Sequence, residues 1–142
     1  KSTACRLLDS KLPDFDFVDL EKIKENFSHL ERSERKVKAH EAYYPKIKEL
    51  ISQKRNILLQ ESFLKDFKTE LDLKDYKIIS VFLKVSLEET KRRNASRSKN
   101  LSNEYLEESY GYLAAPEEDD YIIDAEKHSV EEVVESILNL LK

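Results

Sequence analysis

The stretch Ile78-Ile79-Ser80-Val81-Phe82-Leu83-Lys84-Val85 decides the fold class. Its apolar residues are nearly continuous rather than alternating, the pattern of a strand buried on both faces in a parallel sheet covered by helices. Ser86 follows as a helix cap, and Glu89 three residues later completes a capping box. The helix so started carries Arg92 and Arg93 and runs through Arg97.

The same alternation extends in both directions. Downstream, a helix spans about 103–114 and ends before Pro116, Tyr121-Ile122-Ile123-Asp124 reads as the last strand, and Ser129 caps a helix with Val130, Val133, Val134, Ile137 and Leu141 on its apolar side. Upstream, Ser2 to Leu12 reads as a helix with Leu7 and Leu8 inward, stopped by Pro13. Phe15 to Asp19 is a strand ending in a carboxylate, and Leu20, Ile23, Phe27 and Leu30 mark a helical face. A longer helix covers about 33–53 with Val37, His40, Tyr44, Ile47 and Ile51 along one stripe. Asn56 to Glu61 is a strand that again ends in an acid, and Phe63, Leu64, Phe67 and Leu71 suggest a short helix. Strands alternating with helices predict an α/β fold, a three-layer α/β/α arrangement around a parallel sheet, in one domain over 1–142.

With 142 residues, 39% of them hydrophobic and 38% charged, the chain has a globular balance and a heavily charged exterior. No apolar run approaches the roughly 20 residues of a membrane span, so no membrane partner is expected. A net charge of −4 argues against an extended nucleic-acid surface. Cys5 is alone, which favours a reducing, cytoplasmic setting and a small buried side chain in the first helix. There is no methionine and one glycine, Gly111, where average usage of about 7% would give roughly ten. A segment upstream of Lys1 is therefore expected, and missing internal residues with it; a phosphate-binding loop at Lys1 would further require a central strand before it.

Lys1-Ser2-Thr3 is the clearest candidate for chemistry. A lysine opening a helix reaches phosphates, an adjacent hydroxyl holds Mg²⁺, and the helix N-terminus adds positive potential. The plain structural alternative is a terminal lysine beside a Ser/Thr helix cap. Asp19 and Glu61 fall at the carboxyl ends of strands, where ligands of open α/β sheets bind. Either acid could orient or deprotonate an acceptor hydroxyl, or hold Mg²⁺ through water; for Asp19 the alternative is capping the helix at Leu20. Arg93 and Arg97 are four apart and Arg92 lies beside them, a cluster suited to a transferring phosphoryl group, or else a solvated face partnered by Glu88 and Glu89. Arg32 and Arg35, near Tyr43 and Tyr44, are weaker acceptor candidates. His40 reads as a core-edge histidine.

In this order the pieces resemble the P-loop nucleoside and nucleotide kinases. Lys1-Ser2-Thr3 looks like the end of the G-K-S-T motif. Val81 through Glu89, followed by Arg92, Arg93 and Arg97, is similar to the family's strand and arginine-bearing lid, here about 92–103. Asn103 to Tyr110, Tyr121-Ile122-Ile123-Asp124-Ala125 and Ser129 to Val133 look most like the C-terminal part of thymidylate and deoxynucleoside kinases. Phe17-Val18-Asp19 resembles the strand-end acid of zeta-toxin-like and polynucleotide-kinase-like enzymes. The glycines of the P-loop are absent, and Leu59-Gln60-Glu61-Ser62 lacks the arginine that follows the acid in thymidylate and deoxynucleoside kinases. The resemblance implies an ATP- and Mg²⁺-dependent kinase whose fold is of the P-loop type with its first strand missing. Lys1, Ser2, Thr3, Arg92 and Ala125 would bind the nucleotide and Ser2 the Mg²⁺. Lys1, Asp19, Glu61, Arg93 and Arg97 would act on a small nucleoside- or nucleotide-like acceptor. A homodimer is compatible with it. Rival expectations are a small-molecule P-loop kinase of the zeta-toxin kind, a nucleotide-binding protein without turnover, and a helical interaction module built on 33–53.

Overall fold

Each strand is cut short by the residue that starts the next helix or by the length of its partner. The computed structural model describes residues 1–60, 69–98, 100–111 and 115–142. They form two compact units, Lys1–Tyr76 and Lys77–Lys142.

In the first unit, α1 (Ser2–Lys11) leads to β1 (Phe15–Val18), α2 (Leu20–Glu25), α3 (Arg32–Ser52) and β2 (Asn56–Leu59). β1 stops at Val18 because Asp19 is an N-cap: its Oδ1 accepts the N–H groups of Glu21 at 3.0 Å and Lys22 at 3.3 Å. β1 and β2 pair in parallel, Phe15 opposite Asn56 and Val18 opposite Leu59. Val18, Leu20, Ala39, Tyr43, Ile47, Leu50 and Leu71 form the core, with Ile23, Phe27 and Ile57 packed against it.

The buried face of α3 is Ala39, Tyr43, Ile47 and Leu50, not the Val37–His40–Tyr44 stripe expected from the sequence. Val37 is 57% exposed, whereas Tyr43 is fully buried. The two stripes share Ile47, but their centres lie about 85° apart around the helix axis at 3.6 residues per turn. Alanine at 39 lets the neighbouring backbone approach while Tyr43 fills the space beside it, so shape selects the face where hydropathy left two choices. α3 ends in a Schellman turn: Arg55 N–H bonds Leu50 O at 3.0 Å, Lys54 N–H bonds Ile51 O at 2.9 Å, and Lys54 takes φ 55°. The expected helix around Phe63, Leu64 and Phe67 lies outside the described residues.

In the second unit, β3 (Val81–Lys84), α4 (Leu87–Ala95), α5 (Asn103–Gly111), β4 (Tyr121–Asp124) and α6 (Val130–Leu140) follow in order. β3 and β4 pair in parallel, Val81 opposite Tyr121 and Lys84 opposite Asp124. The strand expected over 78–85 is shorter because β4 offers only four partners, and Ser80 instead turns its hydroxyl to Asp120. Burial on both faces is not reached: Ile122 is 56% exposed and Val81, Phe82 and Leu83 are half-buried. α6 carries the complete capping box, Ser129 with Glu132, and buries Val133 and Val134. At α4 the box is shared differently. Ser86 accepts from Glu89 N–H at 3.2 Å, but the Ser86 N–H donates to the Glu126 carboxylate.

α4 stops at Ala95, so Arg97 is not on its helical face with Arg93. The side chain of buried Asn94 leaves the helix to clasp Leu101, donating to its carbonyl and accepting its N–H, both at 2.9 Å. A mixed helix–strand chain with parallel pairing is therefore present, its described strands divided between two two-stranded sheets.

Candidate functional site

Ser2 and Arg6 are four apart on α1 and so share one face. That face meets the carboxyl edge of the β1–β2 ladder. Because Val18 pairs with Leu59, the next residues, Asp19 and Gln60, leave the two strands side by side. Gln60 Nε2 donates to Ser2 Oγ at 3.2 Å. Arg6 Nε stands 3.9 Å from Asp19 Oδ2.

The two cross-ties differ in character. The Asp19 side chain is 12% exposed and the Arg6 side chain 64%, so solvent screens the ion pair heavily. Ser2 and Gln60 are both half-buried. Gln60 Oε1 is buried without a hydrogen-bond partner among the described residues, an uncommon state for an amide oxygen. Gln60 was missed by sequence reasoning, which favoured its neighbour Glu61 for its charge. The available signal was the register, since Gln60 ends its strand level with Asp19. Glu61 lies outside the described residues.

Lys1 occupies the N-cap position of α1, and its carbonyl accepts the Cys5 N–H at 3.0 Å. Ser2 is within the helix rather than capping it, and Thr3 is exposed in the same turn. Cys5 is a half-buried free thiol whose pKa is pushed up chiefly by burial. Beside this face a cleft of about 380 Å³ is lined by Arg6, Asp9, Phe17, Asp19, Lys22 and Glu25. Asp19 thus serves both readings at once: Oδ1 caps α2 while Oδ2 faces Arg6.

The arginines of the second unit are held by Glu89. Its carboxylate accepts Arg92 Nε at 2.6 Å and Nη2 at 2.7 Å, together with Arg93 Nε at 2.6 Å. Hydrogen bonds from Arg92 and then Arg93 bring the Glu89 carboxyl down to about 2. Arg93 also donates Nη2 to the carbonyl of buried Ala125 at 2.6 Å, fastening α4 to the loop after β4. Arg97 is exposed beyond the helix.

The weaker candidates have structural places. Arg35 donates to the carbonyls of Phe27, Ser28 and Leu30 at 3.2, 3.0 and 2.9 Å, closing the turn between α2 and α3. Arg32 opens α3 and is exposed. His40 is half-buried, with its Nδ1 2.8 Å from Lys36 O and its ring against Tyr43 and Tyr44. Among the described residues no cluster of three or more His, Cys, Asp or Glu could hold a metal ion, and no helix is long and apolar enough to cross a membrane. Compared with protein-family models, curated proteins and solved structures, the chain matches none of them.

Proposed function

We propose that the protein is an ATP-dependent phosphotransferase of the P-loop kinase type, moving the γ-phosphoryl group with Mg²⁺ onto a nucleoside, a nucleotide or a similar hydroxyl or phosphate acceptor. The observation that carries this reading is the docking of the Ser2–Arg6 face of α1 on the carboxyl edge of a parallel strand pair, with Gln60 on Ser2 and Asp19 beside Arg6. That edge is where such sheets bind ligands. The three-layer fold belongs to the same proposal. The parallel pairing of β1 with β2, and of β3 with β4 in the other unit, supports that part of the reading.

Lys1 would stabilise the β- and γ-phosphates, with Thr3 in the same turn. A Mg²⁺ ion held by Ser2 fits the residues present, since a half-buried hydroxyl adjoins a buried amide oxygen without a donor. Mg²⁺ usually keeps several waters and takes only one or two protein ligands, so no carboxylate cluster is required. When bound, it neutralises phosphate charge. Asp19, which lines the cleft, would accept a proton from an acceptor hydroxyl. Arg92, Arg93, Arg97, Ala125 and Glu61 keep the parts that the family resemblance implies.

Phosphoryl transfer asks the protein for position and charge rather than covalent chemistry. The test is ATP consumption by the full-length protein with Mg²⁺ against a panel of nucleosides, nucleoside monophosphates and other hydroxyl acceptors. Turnover with one acceptor, abolished by Lys1→Ala while the fold persists, is the expected result. Unchanged activity in Lys1→Ala removes Lys1 from the mechanism. One observation favours a second reading, nucleotide binding without turnover: Glu89 already occupies Arg92 and Arg93. ATP binding with no turnover on any acceptor would select it.

A further inference from the structure

The cleft beside α1 draws its charges from two helices. Arg6 and Asp9 are three apart on α1, and Lys22 and Glu25 are three apart on α2, so each pair shares a helix face. Both faces line the same opening of about 380 Å³, together with Phe17 and Asp19. Asp19 keeps an extended backbone two residues after Phe17, which puts the acid and the ring on one side of the chain. We infer that this cleft takes an acceptor that carries a protonated amine beside its hydroxyl, an amino alcohol or amino sugar and not a phosphate ester; this rests on the kinase reading above.

Three features carry the inference. Acids outnumber bases in the lining, Asp9, Asp19 and Glu25 against Arg6 and Lys22. Arg6 already stands 3.9 Å from Asp19, and the side chains of Asp9, Glu25 and Lys22 make no hydrogen bond or ion pair among the described residues. An entering ligand therefore meets two uncompensated acids and one base, a field that draws in an ammonium and repels a phosphate. Second, the arginines that recognise phosphate best are spent nearby. Arg6 faces Asp19, and Arg35 donates to the carbonyls of Phe27, Ser28 and Leu30. Third, half-buried Phe17 adds an aromatic ring to the lining, and aromatic rings attract cations. The volume lies near the small end of the roughly 300–1,000 Å³ of ligand sites, the scale of a single sugar. In the transfer the acceptor oxygen bonds to the γ-phosphorus, the bond to ADP breaks, and the hydroxyl proton passes to the Asp19 carboxylate.

Glucosamine, glucose and glucose 6-phosphate share one skeleton and serve as probes. Their binding to the full-length protein is measured by NMR titration, with ATP consumption in Mg²⁺ followed in parallel. Each exposed charge pair shifts affinity by up to about fivefold. Glucosamine should thus bind about fivefold tighter than glucose, and glucose 6-phosphate more weakly than glucose, the spread shrinking as salt rises. Asp9→Asn combined with Glu25→Gln changes two exposed side chains, so the fold should persist. In that variant the KM for glucosamine should rise to that for glucose while kcat stays unchanged. Equal binding of glucosamine and glucose, tightest binding of glucose 6-phosphate, no binding of any of the three, or a preference that survives the double substitution overturns the inference. ATP consumption on another acceptor then leaves the kinase reading intact. A glucosamine preference with no ATP consumption on any acceptor overturns the acceptor role and the kinase reading together.

Discussion

Gln60 and Ser2 stand 58 positions apart and meet through one hydrogen bond of 3.2 Å at the carboxyl edge of the β1–β2 ladder. One helical turn along α1, Arg6 faces Asp19 at 3.9 Å. Both ties run from a strand end to the same helix face, so the placement of α1 is set by the register of two strands.

Asp19 separates into two functions that substitution can part. Asp19→Ala removes the cap of α2 and should cost about 1 kcal/mol, whereas Asp19→Asn preserves it, since Asn caps helices about as well as Asp. Both should lose about 100-fold or more in turnover if the carboxylate serves the acceptor hydroxyl. Denaturant unfolding and initial rates check this pair. Full turnover by Asp19→Asn would leave Asp19 as a cap alone.

Glu89 gives the second unit an acid-sensitive fastening. Its carboxyl is lowered from 4.5 to about 2 by Arg92 and Arg93. A depressed carboxyl contributes stability that is fully present above about pH 4.5 and is lost as the pH falls toward 2. Glu89→Gln should be less stable than the parent at neutral pH, with the difference closing across that window. Parallel acid-unfolding curves by circular dichroism would refute the fastening.

The face of α3 predicts unequal costs for two apolar truncations. Tyr43→Ala should destabilise by about 3–5 kcal/mol, because the ring fills the core. Val37→Ala should stay within about 0.5 kcal/mol. Urea midpoints decide it, and comparable losses would restore the stripe read from the sequence.

Lys54 holds a left-handed backbone conformation, φ 55°, in the Schellman turn after α3. A side chain there costs about 1–2 kcal/mol relative to glycine. Lys54→Gly should therefore raise stability by about 1 kcal/mol, read as a higher melting temperature. An unchanged or lower value would mean that the turn gains from its lysine what the backbone loses.

The alternation of strands and helices was legible because each element carries its own periodicity and cap. Asp19, Ser86 and Ser129 announced the helices they start, and Tyr121–Asp124 was readable to the residue. Strand lengths were not, because a strand extends only where its partner does, and partners lie 40 residues away or more, as Val81 and Tyr121 do. The site was half legible. Asp19 stood out by charge at a strand end, but Gln60 is neutral and its value comes from register with Val18 and Leu59. Glu89 was readable as a partner of Arg92 and Arg93 by spacing, whereas the Arg93 bond to Ala125 depends on β4 lying beside β3.

The clasp ties Asn94 to Leu101 by two hydrogen bonds, and Arg97 falls between those two residues in the chain. A swing of the whole arginine segment must carry this tied stretch as one bead or break both bonds. A shift of Arg97 alone stays within a short tethered arc, and a loop already closed loses little further chain freedom when its tip is arrested. An anion drawn to Arg97 would thus meet a guanidinium with a small territory, and capturing it would require little ordering of the chain.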